Sequence, residues 1–382
     1  MTRNLLRIFI LVILLGLNSF SMAYAAPTCE KSWPAWNTFK KAFVHPDGRV
    51  IDGSTEDLRT TSEGQAYALF FALVADDRAT FERLINWTEQ NLAGGNLATQ
   101  LPAWLWGKRD DGSFGILDEN SASDADLWMA YALGEAGRLW GNRRYVALSS
   151  LLANSILTLE TTQTAKLGTV LLPGRNGFIP ATTTQLRLNP SYVPLQLLRW
   201  FTLRSKDPRW NSLLTSSRQV IISASPKGYA PDWVVYNSND GFSPDREYGK
   251  ESIGSYDAIR VYLWAGMIDR DDASRGMLLN ALKPMARFIA RQGQPPMSID
   301  VSTGVAGNTG SSGFSAAVIP FLQAAGETSA VNEQLQRIET LPIAEDNYYD
   351  QVLSLFALGW RDNLYHFDSK GNLTPRWMST CQ

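Results

Sequence analysis

The feature that most constrains this chain is a recurrence of aromatic, almost uncharged segments. Glu63 to Phe71, Asp124 to Leu133, Tyr256 to Gly266, Gly313 to Leu322 and Tyr348 to Leu358 are apolar nearly all round when wound as helices, the pattern of a helix buried on every side. Between them run segments such as Ala79 to Leu92 and Ala273 to Arg291, which alternate apolar and charged residues at the helical period and so have one buried and one wet face. This reading gives about twelve helices, beginning near residues 31, 63, 79, 124, 143, 191, 207, 255, 272, 312, 328 and 346. The buried kind returns at intervals of about 60 residues until a shorter last unit, and so long a repeat is one helical hairpin plus a long loop. Six hairpins, with buried helices inside and amphipathic helices outside, make an all-α (α/α)6 barrel.

Loop lengths orient the ring. Links from inner to outer helix are short (Ala75 to Arg78, Gly141 to Arg143), whereas links from outer to inner are long and rich in Gly, Pro and aromatics (Gly94 to Ala122, Lys227 to Gly254). Chain direction then puts every long loop, and the N-terminus of every inner helix, on one rim. Strand-like stretches such as Trp233 to Tyr236 can pair within these loops, but they are too few for a sheet-based core.

Composition narrows the chemistry. With only His45 and His366, and only Cys29 and Cys381, neither a three-His nor a four-Cys metal site can be built, and no His sits in a nucleophile motif. With 35 basic and 37 acidic side chains there is no broad cationic field for nucleic acid. Residues 1–25 read as a secretory signal: Arg3 and Arg7, an apolar run from Ile8 to Leu17, then Ala23-Tyr24-Ala25. That run is shorter than the roughly 20 residues a membrane span needs, so a periplasmic or secreted protein is expected, with residues 26–382 as one barrel domain. Cys29 and Cys381 are either a pair of unreactive thiols or a disulfide joining the mature ends.

Three acids begin inner helices: Glu63 after Thr61-Ser62, Asp124 after Ser123, and Asp257 after Ser255-Tyr256. Helix capping explains each one alone, because orphan N–H groups and the helix dipole favour Ser caps and first-turn carboxylates. Three on one rim, in helices otherwise nearly free of charge, point instead to glycosidic bond cleavage, which needs one protonated and one ionised carboxyl. The dipole lowers a carboxyl pKa while a general acid needs it raised, so burial or a neighbouring carboxylate such as Asp124 must oppose it. Sugar faces stack on aromatic rings, making Trp104, Trp106, Trp128, Tyr192, Trp233 and Tyr236 candidate platforms, each with core packing as the alternative; Trp140, Trp200 and Trp264 read as core. Arg109 follows the Trp104-Trp106 segment as a further substrate-binding candidate. Arg260, three residues after Asp257, can fold back on that carboxylate, and Tyr256, Tyr349 and Asp350 are candidates to bind water or hydroxyls.

The stretch Ala122-Ser123-Asp124-Ala125-Asp126-Leu127-Trp128 through Trp140 resembles the signature of family 8 glycoside hydrolases. Thr61-Ser62-Glu63-Gly64-Gln65-Ala66-Tyr67 is similar to that family's segment around its general acid, and Ser255-Tyr256-Asp257-Ala258-Ile259-Arg260 to the segment around its base. The resemblance spans Trp33 to about Trp360 and implies an (α/α)6 barrel, no metal or organic cofactor, and inverting hydrolysis of β-1,4-glucan (cellulose or cello-oligosaccharides). It implies Glu63 as proton donor, Asp257 as base, and Asp124 as either a nucleophile or the residue holding sugar at the cleavage subsite, the second being favoured because an inverting reaction has no covalent intermediate. Asp126 reads as a structural hydrogen-bonding residue or as a partner of the site. A link to cellulose synthase and its export machinery, and to biofilm formation, is a further implication. Xylan or chitosan as substrate, and a barrel that only binds polysaccharide, are the alternatives.

Overall fold

The computed structural model describes residues 33–179, 185–245 and 252–380. Signal-like residues 1–25, Cys29 and Cys381 lie outside the described residues. Six inner helices, α2 (Ser62–Val74), α4 (Ser123–Trp140), α6 (Leu195–Arg204), α8 (Ala258–Met267), α10 (Ser312–Ala325) and α12 (Tyr348–Arg361), form the ring expected from the repeat. Around them stand α1 (Pro34–Phe43), α3 (Arg78–Leu92), α5 (Arg143–Leu159), α7 (Arg209–Ala224), α9 (Arg275–Gln292) and α11 (Thr328–Thr340). The first outer helix, α1, packs on the last inner one, α12, so the two ends of the helical series meet and close the ring.

Burial follows the two sequence patterns. Every residue from Gly64 to Val74 in α2, and from Ser123 to Gly137 in α4, is buried, whereas α11 buries only Ala330 and Gln334. The barrel axis is filled with rings. Phe356 lies 5.0 Å from Tyr67, 5.4 Å from Phe70, 5.1 Å from Trp128 and 5.0 Å from Trp264, mostly edge to face or tilted. At about 1.5–3 kcal/mol for each large side chain removed from water, this column holds the inner helices together. Trp128, expected among the sugar-stacking rings, belongs to it: at 1% exposure it has no free face. Its place on an inner helix, one turn below Asp124, sends its ring into the axis.

The loops carry short strands. β1 (Thr60–Thr61), β2 (Leu105–Lys108) and β3 (Phe114–Asp118) form one antiparallel sheet, and β4 (Thr161–Thr164) and β5 (Gly168–Leu171) a hairpin. β6 (Gln185–Leu188), β7 (Val234–Asn237) and β8 (Gly241–Pro244) form a second three-stranded sheet, as the Trp233 to Tyr236 pattern suggested. Tyr236, also expected to meet sugar, is buried beneath this sheet with Leu186, Leu188 and Val220, because strand alternation turns it inward. β9 (Ile253–Gly254) pairs with β10 (Ile299–Asp300) before α8. After α12, the hairpin β11 (Tyr365–Phe367) and β12 (Leu373–Pro375) presses Tyr365 and Phe367 against Phe70. The short α13 (Trp377–Thr380) follows.

The ring tolerates little extra volume. A Cβ on Gly266 of α8 would lie 2.2 Å from the Phe321 nitrogen of α10 and 2.4 Å from the Pro320 carbonyl carbon, both backbone atoms. Gly266→Ala is therefore expected to lower stability by about 1–3 kcal/mol, seen as a depressed Tm; an unchanged Tm would contradict this packing.

Candidate active site

Each acid reaches the rim by a different local device. Thr61 caps α2 through the Gly64 N–H (3.0 Å), and the Ser62 N–H is bound by the Trp104 carbonyl (3.0 Å). Glu63, next in the chain, is left free of capping and keeps 24% of its side chain exposed. Asp124 is 3% exposed, and its Oδ1 accepts the Ala125 N–H at 2.8 Å. Asp257 stands at the N-cap of α8 but makes no cap hydrogen bond there; its side chain is 28% exposed.

Arg260 joins all three. Its Nη1 donates to Glu63 Oε2, to Asp124 Oδ2 at 3.2 Å and to the Tyr67 hydroxyl at 3.0 Å, while Nη2 donates to Asp257 Oδ1 at 2.6 Å. The fold-back on Asp257 expected from the spacing is there, with two further carboxylates on the same guanidinium. Arg260 is 4% exposed, so the cation is buried beneath the acids, and Glu63 and Asp257 are the two that face outward.

Electrostatics divide the carboxyls. Burial, then the Glu63 charge, pushes Asp124 well above the ordinary range against the opposing pull of Arg260. Asp124 therefore retains its proton where an isolated carboxyl has lost it. Partial burial raises Asp257, Arg260 lowers it and Glu63 raises it again, leaving it above the usual value. The phenol of Tyr192, whose ring lies 5.7 Å from the Arg260 guanidinium, is pushed up by burial and by Asp124 and Asp257, and so stays a proton-bearing donor.

The model described as Glycosyl hydrolases family 8 matches residues 12–363. The chain belongs to glycosyl hydrolase family 8. It is 44% identical to an Escherichia coli K12 protein named endoglucanase over 99% of both chains, and 45% identical to the E. coli O157:H7 endoglucanase over 97% of both. The crystal structure of an endo-1,4-D-glucanase from Vibrio fischeri superposes with a TM-score of 0.83 at 47% identity, covering 91% of this chain and all of that one.

Around the acids of this family 8 hydrolase the aromatic candidates divide. Trp233 stacks beside Phe178 (6.0 Å, 4° between planes) and meets Tyr192 at 5.9 Å, with the Arg187 guanidinium 4.0 Å over its ring. Tyr256 is 54% exposed, leans edge-on against Phe314, and its carbonyl accepts the Tyr349 hydroxyl. These rings flank the acids. Trp104 is half-buried beside the start of α2, held through its own carbonyl and N–H. Trp106 is packed against Phe114, Trp87 and the Arg49 guanidinium, which leaves it part of the β2–β3 sheet's own cluster. Arg109 folds back on that hairpin, toward Ser113 and the Ile116 carbonyl. Asp350 is buried and accepts from Ser311 at 2.7 Å, which ties α12 to α10 and withdraws it from the hydroxyl-binding role expected of it.

Two residues missed in the sequence stand beside Asp257. Asn189 lies beside that carboxylate with its buried Nδ2 making no hydrogen bond, and it begins the Asn-Pro-Ser-Tyr run that ends at Tyr192. Asp232 precedes Trp233 in a long loop, where nothing in its neighbours marks it out.

Asp126 lies behind the site, fully buried against Glu160, whose Oε1 accepts from Ser121 at 2.6 Å. Burial pushes Glu160 up to about 7, and burial together with Glu160 pushes Asp126 well up, so the two carboxyls share a proton. A folded-state pKa above the unfolded one means the native state binds more protons between the two values. Stability is then lost as pH rises from the ordinary carboxyl range through about 7. Glu160→Gln supplies a permanent donor to Asp126. Its Tm is expected to gain on the wild type between about pH 5 and about pH 8; parallel Tm curves would contradict a shared proton.

Proposed function

We propose that this hydrolase is an exported endo-β-1,4-glucanase that cuts cellulose chains internally with inversion at the anomeric carbon. The observation that carries the reading is that two partly exposed carboxyls, Glu63 and Asp257, face the rim from opposite ends of one buried guanidinium. Glu63 gives its proton to the glycosidic oxygen. Asp257 takes a proton from water as that water attacks the anomeric carbon from the other face of the sugar. As Glu63 becomes anionic, Arg260 stabilises the charge that develops on it, and the same cation keeps Asp257 ionised before the reaction. Asp124, buried and proton-bearing, holds the sugar at the cleavage subsite and sits beside Glu63 on the same guanidinium nitrogen. Tyr256, Trp233 and Tyr192 supply faces and a hydroxyl for neighbouring sugar units.

The motif resemblance supports a place beside the cellulose synthase and export machinery, and the signal-like start supports a periplasmic setting. Deleting the gene in a cellulose-producing strain is expected to alter polymer output; unchanged polymer would count against that setting.

Reducing-end release from carboxymethyl-cellulose, xylan and chitosan tests the activity, with the anomer of the first product followed by NMR. Carboxymethyl-cellulose is expected to be cut fastest, giving the α-anomer first. Glu63→Gln and Asp257→Asn are expected to lose roughly 10²-fold or more in kcat. Near wild-type rates in both variants would sink the assignment, and faster cleavage of xylan or chitosan would replace the substrate.

A further inference from the structure

An aspartate at a helix N-cap ordinarily turns its carboxylate onto the exposed N–H groups of the first turn. In α8 the N-cap is Asp257, yet its carboxylate goes to Arg260 and makes no cap bond. The N–H groups of Ile259 and Arg260 are met locally, by the carbonyls of Ser255 (3.0 Å) and Asp257 (3.1 Å), and the N–H groups before them are met from another segment. Oδ1 of Asp232 accepts the N–H groups of Ser255 (2.7 Å), Asp257 (3.1 Å) and Ala258 (2.8 Å).

The segment bearing Asp232 is itself fixed to α8 and the strand before it. The Asp232 N–H donates to the Ile253 carbonyl (2.8 Å), and the Ala230 N–H to the hydroxyl of Tyr262 on α8 (2.8 Å). Gly254 permits this approach, since a Cβ there would fall 2.0 Å from the Ala230 oxygen. We infer that Asp232 is the positioning residue for Asp257: by holding the N–H groups of Asp257 itself and of residues on either side, it fixes the backbone from which the Asp257 carboxylate faces water and Arg260, and its charge helps set the basicity of Asp257. The inference rests on Asp257 being the base.

Charge coupling agrees with the geometry. Asp232 is raised to about 6, by burial and then by Asp257. The other groups facing Asp257 are Arg260 on α8, Glu63 on α2, Tyr192 in the turn before α6 and Tyr349 on α12. Asp124 on α4 lies on the same guanidinium, and Tyr262 on α8 faces Asp232.

The test compares kcat, KM and the pH profile of kcat/KM for wild type, Asp232→Ala, Asp232→Asn and Asp257→Asn on a soluble cellulose derivative. Asp232→Ala removes the acceptor of three N–H groups, and kcat is expected to fall about 10–100-fold with KM changed less than about threefold. Asp232→Asn keeps that acceptor and should restore most of kcat. Without the neighbouring charge, Asp257 should lose its proton more easily, moving the acidic limb to lower pH. A wild-type kcat in Asp232→Ala, or an unmoved acidic limb in Asp232→Asn, would overturn the inference; if the alanine variant fails to fold, the asparagine profile decides. An inactive Asp257→Asn beside wild-type Asp232 variants would refute only the positioning role. An active Asp257→Asn would refute the base assignment beneath it.

Discussion

The site depends on one buried cation among three carboxyls. Glu63, Asp124 and Asp257 come from α2, α4 and α8, and in a low-dielectric interior three anions this close would drive their helices apart. Arg260 makes the convergence tolerable by touching all of them, and a proton retained by Asp124 removes part of the remaining excess negative charge. A lysine could not span them in the same way. The planar fork of arginine offers Nη2 to one acid and Nη1 to the other two at once. Because the cation is buried while Glu63 and Asp257 are partly exposed, it can tune both acids without occupying the space where a sugar must lie.

The barrel supplies what that arrangement needs from the backbone. Inner helices all begin on one rim, so first-turn acids from different hairpins meet there. At the starts of α2 and α8 first-turn N–H groups are met without using the functional carboxylate. Thr61 does this for Glu63, and Asp232 does it for Asp257 from a neighbouring loop. Beneath the rim, the Phe356-centred column of rings leaves the helices no room to slide, which keeps the carboxyls in register. Behind it, the Asp126–Glu160 pair and Ser121 tie the loop entering α4 to the end of α5.

The helical ring, its handedness of loop lengths and the three acids were legible in the sequence, because each leaves a local trace: apolar periodicity, short against long links, and an acid opening an uncharged helix. Family membership was legible in the run from Ala122 to Trp140. The division of the aromatics was not. Trp128 and Trp233 look alike in the chain, and only the third dimension puts one on the barrel axis and the other beside Tyr192. Tyr236 failed for a related reason, since strand alternation fixes two faces but not which one meets the core. Asp232, Asn189 and Glu160 act through contacts between segments far apart in sequence, and such contacts leave no mark in their immediate neighbours. The final β11–β12 hairpin, which closes the far end of the barrel over Phe70, was likewise unread.

The most direct measurement of the account is the pH profile of kcat/KM for Arg260→Lys beside wild type on a soluble cellulose derivative. A single ammonium cannot hold both Glu63 and Asp257, so kcat/KM should fall by roughly 10²-fold and the acidic limb, assigned to Asp257 as the proposed base, should move to higher pH as the carboxylate loses its cation. Wild-type activity with an unmoved acidic limb would contradict the claim that one guanidinium governs the three acids.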